Sequence, residues 1–335
     1  MEFDRTRRRT LATPKEVTGR TAELSIKHFF QPELLRQETT LRLEPASPGE
    51  GIQFAIIGKE NNPIPFDPHH TYAKDDLCGR VLSLSSIPDE QLTNKLPKKG
   101  KGERIHVIER LAAAIHYLGI TDLNVLVSPS SRNPSEAYIP NQGPGIQQYI
   151  ELLQDTKIIP GINHTMEAKE LSESTQPKHN SRVQIIPADT LTLRLKNNNL
   201  GTLPLSPSDE VIKDVYNSLH EHLKARPIAR TTNNWQAKLL GFLNKKGYKG
   251  ISSDNYILPG TNTTTETIVQ KMVPQYQKGA NEATFYSALA RMGDLAMFGS
   301  SFKGFIEFDK PNHTGNIYNL KQLFANNKLQ KTYEG

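Results

Sequence analysis

The stretch RIHVIERLAAAIHYLGI, residues 104–120, followed at once by TDLNVLVS, constrains the fold of this chain more than any other segment. Ile105, Ile108, Ala112, Ile115 and Gly119 recur at spacings of three and four, the period of a helix with one buried face. Leu123 to Ser128 then reads as a strand. Glu109 stands one turn past Ile105, on the edge of the apolar stripe, with Arg110 beside it. A charged pair in that place is either a solvated flank or the wall of a site, and the rest of the chain has to decide which.

Strand patterns precede this helix in TTLRLEP (39–45), GIQFAII (51–57) and GRVLSLS (79–85), and KLPKKGKGE (95–103) reads as a loop. After it come a Pro- and Asn-rich turn (129–145) and a second helix from about Ile146 to Gln154. The polar run ELSESTQPKHNS (170–181) reads as an exposed loop or boundary. Beyond it, RVQIIPA (182–188) and DTLTLRL (189–195) are strand-like, KNNNLG is a turn, and helices are expected at about Ser208–Lys224 and Asn234–Lys246. A strand near NYIL (255–258), a long helix over Asn281–Ser300 and a last strand KGFIEFD (303–309) complete the pattern. At 335 residues the chain exceeds the span of one hydrophobic core, so two α+β domains are expected, over residues 1–165 and 180–335.

Several functional classes are set aside at this stage. No window approaches the ~18 uninterrupted apolar residues of a membrane span, and neither a Walker sequence nor GxGxxG opens a helix after a strand. The net charge of +6 is spread along the chain without an RNA-binding or helix-turn-helix signature, so nucleic acid is not an expected partner. The single cysteine, Cys78, reads as a buried small hydrophobe and excludes an intramolecular disulfide. No apolar run follows RTRRR (5–9), and a cytoplasmic protein is expected.

The order of motifs carries more than the composition. RRTLATPKEVTGRT, TTLRLEPASPGEGIQF, NPIPFD, DLCGRVLSL, HVIERLAAAIHYLGITDLNVLV, ARTTNNWQAKLLGFLNKKGYKGISSDNYIL, LARMGDLAMFG and DKPNHTGNIYNL occur in this sequence. They resemble, in the same order, successive segments of UDP-3-O-acyl-N-acetylglucosamine deacetylase, LpxC, the family that performs the committed deacetylation of lipid A synthesis. The resemblance implies two α+β domains of similar plan, each a small sheet packed against paired helices, with a cleft between them.

In that family the cleft holds a zinc-activated water, and the matching positions can be carried over one by one. The family's TVEHL corresponds to VIERL, which keeps the general-base glutamate as Glu109 but has Arg110 at the first zinc-ligand position. The family's HKxxDxxGD corresponds to YSALARMGD, which places Tyr286 and Ala290 at the other two ligand positions and Ser287 at that of a phosphate-contacting lysine. Thr231 of ARTTNN matches the oxyanion-stabilising threonine, His313 of NHTGN the general acid, and Asp294 of MGD the aspartate near it. The family's GLHTG is missing from TGRTAEL, and about ten extra residues follow around KHFFQPELLRQ.

Arg110 cannot ligate a metal, because a guanidinium is always protonated and has no acceptor; a catalytic zinc site needs three protein ligands. The resemblance therefore implies an acid/base scaffold without its metal and no cofactor, with Arg110 pairing either with Glu109, as a closed ion pair, or with an anionic ligand. A relocated metal on His106 or His116 is the alternative. Lys249 and Lys303 are candidates to replace the lost lysine on substrate. Three functions follow: a binding or regulatory homologue that recognises a UDP-sugar, an acyl chain or a protein of lipid A synthesis; an active deacetylase using a relocated metal or a metal-free Glu109/His313 mechanism; and an interaction module with a filled cleft.

Overall fold

The computed structural model describes residues 5–20, 38–76, 79–94, 101–131, 133–140, 145–198, 208–225 and 284–333. The expected helix at 234–246, the strand at 255–258, Cys78, Thr231 and Lys249 lie outside the described residues.

The fold is α+β, with small sheets packed against few helices. One five-stranded sheet runs in the order Lys15–Arg20, Glu38–Pro45, Leu123–Val127, Ile52–Ile56, Ile64–Pro65. A four-stranded sheet follows the order Glu136–Tyr138, Arg104–His106, Gly79–Ser85, Thr71–Asp76, and a two-stranded ribbon joins Arg7–Leu11 to Thr156–Ile162. The remaining strands form a seven-stranded sheet around Phe302–Asp309, which pairs with Ser181–Ile186, His164–Ala168 and Leu191–Asn198. Among the described residues every ladder closes within 7–162 or within 164–333.

Four helices matter for the site: α1 (Glu109–Leu118), α2 (Gln147–Leu153), α3 (284–295) and α4 (His313–Ala325). All ten residues of α1 are buried, because it packs against α2, strand Gly79–Ser85 and the turn Ala296–Phe298. A helix enclosed on every side must satisfy its own polar ends. Gly119 does this at the C-terminus: it takes φ 67°, cheap only without a Cβ, and donates its N–H back to the last turn. Helix α4 packs on Ser172–Gln176 and Ser181–Ile186 on one side and on Thr71–Asp76 and Gly79–Ser85 on the other, so it spans both groups of sheets. Its N-cap Asn312 accepts from the Gly315 N–H at 2.7 Å.

Several expectations are corrected. The helix begins at Glu109, not Arg104, because Arg104–His106 is drawn into the four-stranded sheet between Glu136–Tyr138 and Gly79–Ser85. Val107 breaks the two elements apart with φ 64°, an uncommon value for a β-branched residue. The polar run 170–181 is not a loop: Ser172–Gln176 is an edge strand followed by a 3₁₀ turn at Pro177–His179. The helix expected over Ser208–Lys224 is instead the strand Ser208–Ile212, a helical turn Val215–Ser218 and a 3₁₀ turn His220–His222. The turn at 129–145 contains the strand Glu136–Tyr138, and Leu191–Asn198 extends into the expected KNNNLG turn.

Candidate functional site

The first turn of α1 brings Glu109 and Arg110 to the face that meets α3. The approach is as close as backbones allow: a Cβ on Gly293 would lie 2.5 Å from the Glu109 carbonyl oxygen. Glycine at 293 therefore sets the crossing point of the two helices, and Asp294 follows it immediately.

Two sequence-predicted positions, Arg110 and Tyr286, meet across these helices. The Arg110 guanidinium reaches Tyr286 on α3, Nε to phenol oxygen 3.4 Å, with its carbon 5.4 Å from the ring centroid. Ala290, one turn further along α3, is buried and presents only a methyl group. Glu109 is 8% exposed, and among the described residues its Oε2 has no hydrogen-bond partner. The closed ion pair expected between Glu109 and Arg110 is not formed among the described residues, since the guanidinium turns to Tyr286 instead.

A second group lies at the far end of α3. Asp294 is fully buried and accepts from His313 Nδ1 at 2.5 Å, while its Oδ2 accepts from Asn316 Nδ2 at 3.0 Å and lies 3.3 Å from Arg291 Nε. Burial opposes ionisation of Asp294, but the charges of His313 and Arg291 and the hydrogen bonds from His313 and Asn316 outweigh it, holding the carboxyl below its ordinary range. A carboxylate on Nδ1 fixes that nitrogen as the N–H, leaving Nε2 as the nitrogen able to exchange a proton with a ligand. His313 is on the first turn of α4 rather than in a loop, so both of its supports, Asp294 and Asn316, come from helices. Asn316 and Arg291 were not anticipated; Asn316 ends the quoted NHTGN run, three residues from His313 and on the same helix face.

Lys303 is not part of this constellation: it lies in strand Phe302–Asp309, opposite Glu167 in a parallel ladder. His116 is unfit for a relocated metal. It is fully buried, with Nδ1 2.8 Å from the Gly299 carbonyl and Nε2 2.9 Å from the Tyr216 hydroxyl, which in turn accepts from the Phe302 N–H at 3.1 Å. That chain of bonds makes Nδ1 the N–H donor and occupies both ring nitrogens. Arg5 adds to it, donating to the His116 and Ser300 carbonyls at 2.9 and 2.8 Å and stacking over Tyr216. His106 Nδ1 lies 2.9 Å from the Ser83 hydroxyl.

The donor set does not fit zinc. A guanidinium, a phenol engaged with it and a methyl group offer no triad of lone pairs. No cluster of three His, Cys, Asp or Glu side chains able to hold a metal occurs among the described residues. What the arrangement offers chemically is a carboxylate at Glu109, a fixed positive charge at Arg110, and an imidazole oriented by Asp294.

A family model described as LpxC, UDP-3-O-acyl N-acetylglycosamine deacetylase, matches residues 35–325. No curated protein matches the chain.

Proposed function

The chain belongs to the LpxC family, and from that membership we propose that it is a homologue without zinc-dependent deacetylase activity, acting by binding in the former catalytic cleft. The single observation that carries the reading is the Arg110–Tyr286 contact: two of the three ligand positions are spent on one another, and the third is Ala290.

The residues that remain can bind and orient. Arg110 puts a permanent positive charge where the family's metal stood, which suits an anionic group such as the diphosphate of a UDP-sugar. Glu109 Oε2 is available to accept a hydrogen bond from a ligand, and His313 Nε2 to give or take a proton. We place the ligand among UDP-sugars, acyl-bearing sugars or a protein of lipid A synthesis. Among the described residues no helix is long and apolar enough to cross a membrane.

A second reading is supported by the same two residues: a metal-free deacetylase in which Glu109 activates water and His313 protonates the leaving amine. A buried carboxylate oxygen without a partner among the described residues and an imidazole oriented by aspartate are the parts that such chemistry uses.

The triple change Arg110→His, Tyr286→His, Ala290→Asp tests the proposal. Restoring the ligand set should give one zinc per chain and turnover on the UDP-linked acyl-glucosamine substrate, where the natural chain gives neither. A triple variant that folds but binds no more zinc than the natural chain would show that the cleft never lost a ligand set at these positions.

A further inference from the structure

A cavity of about 310 Å³ lies at the other end of the α1–α3 contact, where the two groups of sheets meet. None of Glu109, Arg110, Tyr286, Asp294 or His313 lines it. Its wall includes Gly299, which holds His116 at the last turn of α1, about 10 Å along the helix from Glu109 at 1.5 Å per residue. It is separate from the residues of the candidate site described above.

Its two chemistries are segregated. Phe66, Met166, Met297, Phe298 and Phe324 make an apolar surface drawn from both groups of sheets. Cationic groups enter from two strands. Lys331 stands opposite Met166 in the antiparallel ladder His164–Ala168/Leu329–Tyr333, and paired residues share a face, so Lys331, His164 and Met166 all turn to the cavity. The same alternation sends Glu167 to the opposite face. Arg8 enters from the ribbon, its Nη1 2.8 Å from Asp122, which is fully buried.

The one acidic residue in the wall, Asp67, is already engaged: its Oδ1 accepts from the His69 and His70 backbone N–H groups at 2.8 and 2.9 Å and lies 2.9 Å from the His70 ring. Lys331 forms no ion pair among the described residues. Asp67 keeps its negative charge, so the wall is positive only on its Lys331 side, where Lys331 and His164 stand together. His164 lies within reach of that charge: burial, then the charge of Lys331, with a smaller push from Arg8, holds its imidazole below the usual range against the hydrogen bond to the Phe298 carbonyl.

We propose that this cavity is a second binding site, for a small amphipathic monoanion: one carboxylate set against Lys331 and Arg8, with a short apolar body against Phe66, Met297 and Phe298. A single negative charge fits, since Arg8 is already shared with Asp122 and Lys331 forms no ion pair among the described residues. The volume, that of about ten waters at 30 Å³ each, limits the ligand to on the order of ten non-hydrogen atoms. Such an occupant touches both groups of sheets and braces them.

The test is calorimetric titration of the full chain with octanoate, octylamine and acetate, in the natural protein and in Lys331→Glu and Met297→Trp. Lys331 is exposed, so its reversal leaves the core intact. Octanoate should saturate with Kd below about 1 mM; octylamine, acetate and both variants should lower the affinity at least about tenfold. Failure of octanoate to saturate at several times that concentration, equal binding of octylamine, or affinity unchanged by Lys331→Glu would overturn the assignment.

Discussion

Replacing Gly293 by alanine should destabilise the protein, although the same change on an exposed helix face stabilises by about 1 kcal/mol through helix propensity. The added methyl would stand 2.5 Å from the Glu109 carbonyl oxygen and 3.3 and 3.4 Å from its carbonyl carbon and Cα. All three are backbone atoms of α1, so no side chain can swing aside; α3 must move by roughly 1 Å to reach ordinary contact distance. Overpacking of this kind costs about 1–3 kcal/mol, and an obligate backbone shift belongs in the upper part of that range. Subtracting the propensity gain leaves a net loss of about 1–2 kcal/mol. At about 2–4 °C per kcal/mol the Tm falls by roughly 2–8 °C. Differential scanning calorimetry reads this directly, and in urea the midpoint should fall with the slope unchanged. An equal or higher Tm for Gly293→Ala would refute the close crossing of α1 and α3, and with it the placement of Arg110 against Tyr286.

Three further outcomes follow from the buried polar groups. His116→Ala should cost about 3–5 kcal/mol, because it opens a cavity and strands the Tyr216 hydroxyl and Gly299 carbonyl, as an unfolding titration would show. The natural chain should also lose stability as pH falls. Burial, then the charge of Arg5, drives the His116 pKa down to about 3, so between the unfolded value near 6.5 and about 3 only the unfolded chain takes the proton. This group contributes fully above 6.5 and loses up to about 1.4 kcal/mol per pH unit below it, a slope that His116→Gln should remove. Lys321 is completely buried, 3.2 Å from Asp89. Asp89→Ala, which leaves the ammonium without its carboxylate, should therefore destabilise by about 3–5 kcal/mol, whereas Lys321→Met should cost far less; equal losses would show that the pair is not electrostatically coupled.

The local period identified α1 but could not fix its start. Ile105, Ile108, Ala112 and Ile115 are all fully buried, as the spacing requires, yet Ile105 is buried as a strand residue. Its neighbours in the sheet lie at positions 84 and 137, and no window around residue 105 contains them. Edge strands failed for a related reason. Ser172–Gln176 pairs on one side only and is largely polar, so it carries no apolar run to distinguish it from a loop. Among the described residues Ser208–Ile212 likewise pairs with Leu191–Asn198 alone. For α4 the signal was present: Asn312 after Pro311 is a helix N-cap, and its bond to Gly315 is what lifts His313 onto a helix.

At the site, the motif order placed Glu109, Arg110, Tyr286, Asp294 and His313 on a common plan. Sequence could not show which neighbour Arg110 would choose, because Glu109 is adjacent in the chain whereas Tyr286 becomes adjacent only when α1 and α3 cross at Gly293. The second cavity was illegible for the same reason. Its cationic wall depends on the face of the strand that carries Lys331, and the apolar wall comes from segments more than 200 residues apart, between Phe66 and Phe298.

The most direct test of the central claim is zinc content per chain in protein purified without chelator and supplied with zinc, measured together with turnover on the UDP-linked acyl-glucosamine substrate. The account predicts well below one zinc per chain and no zinc-dependent turnover. Stoichiometric zinc, with activity lost in Glu109→Ala or His313→Ala, would contradict it.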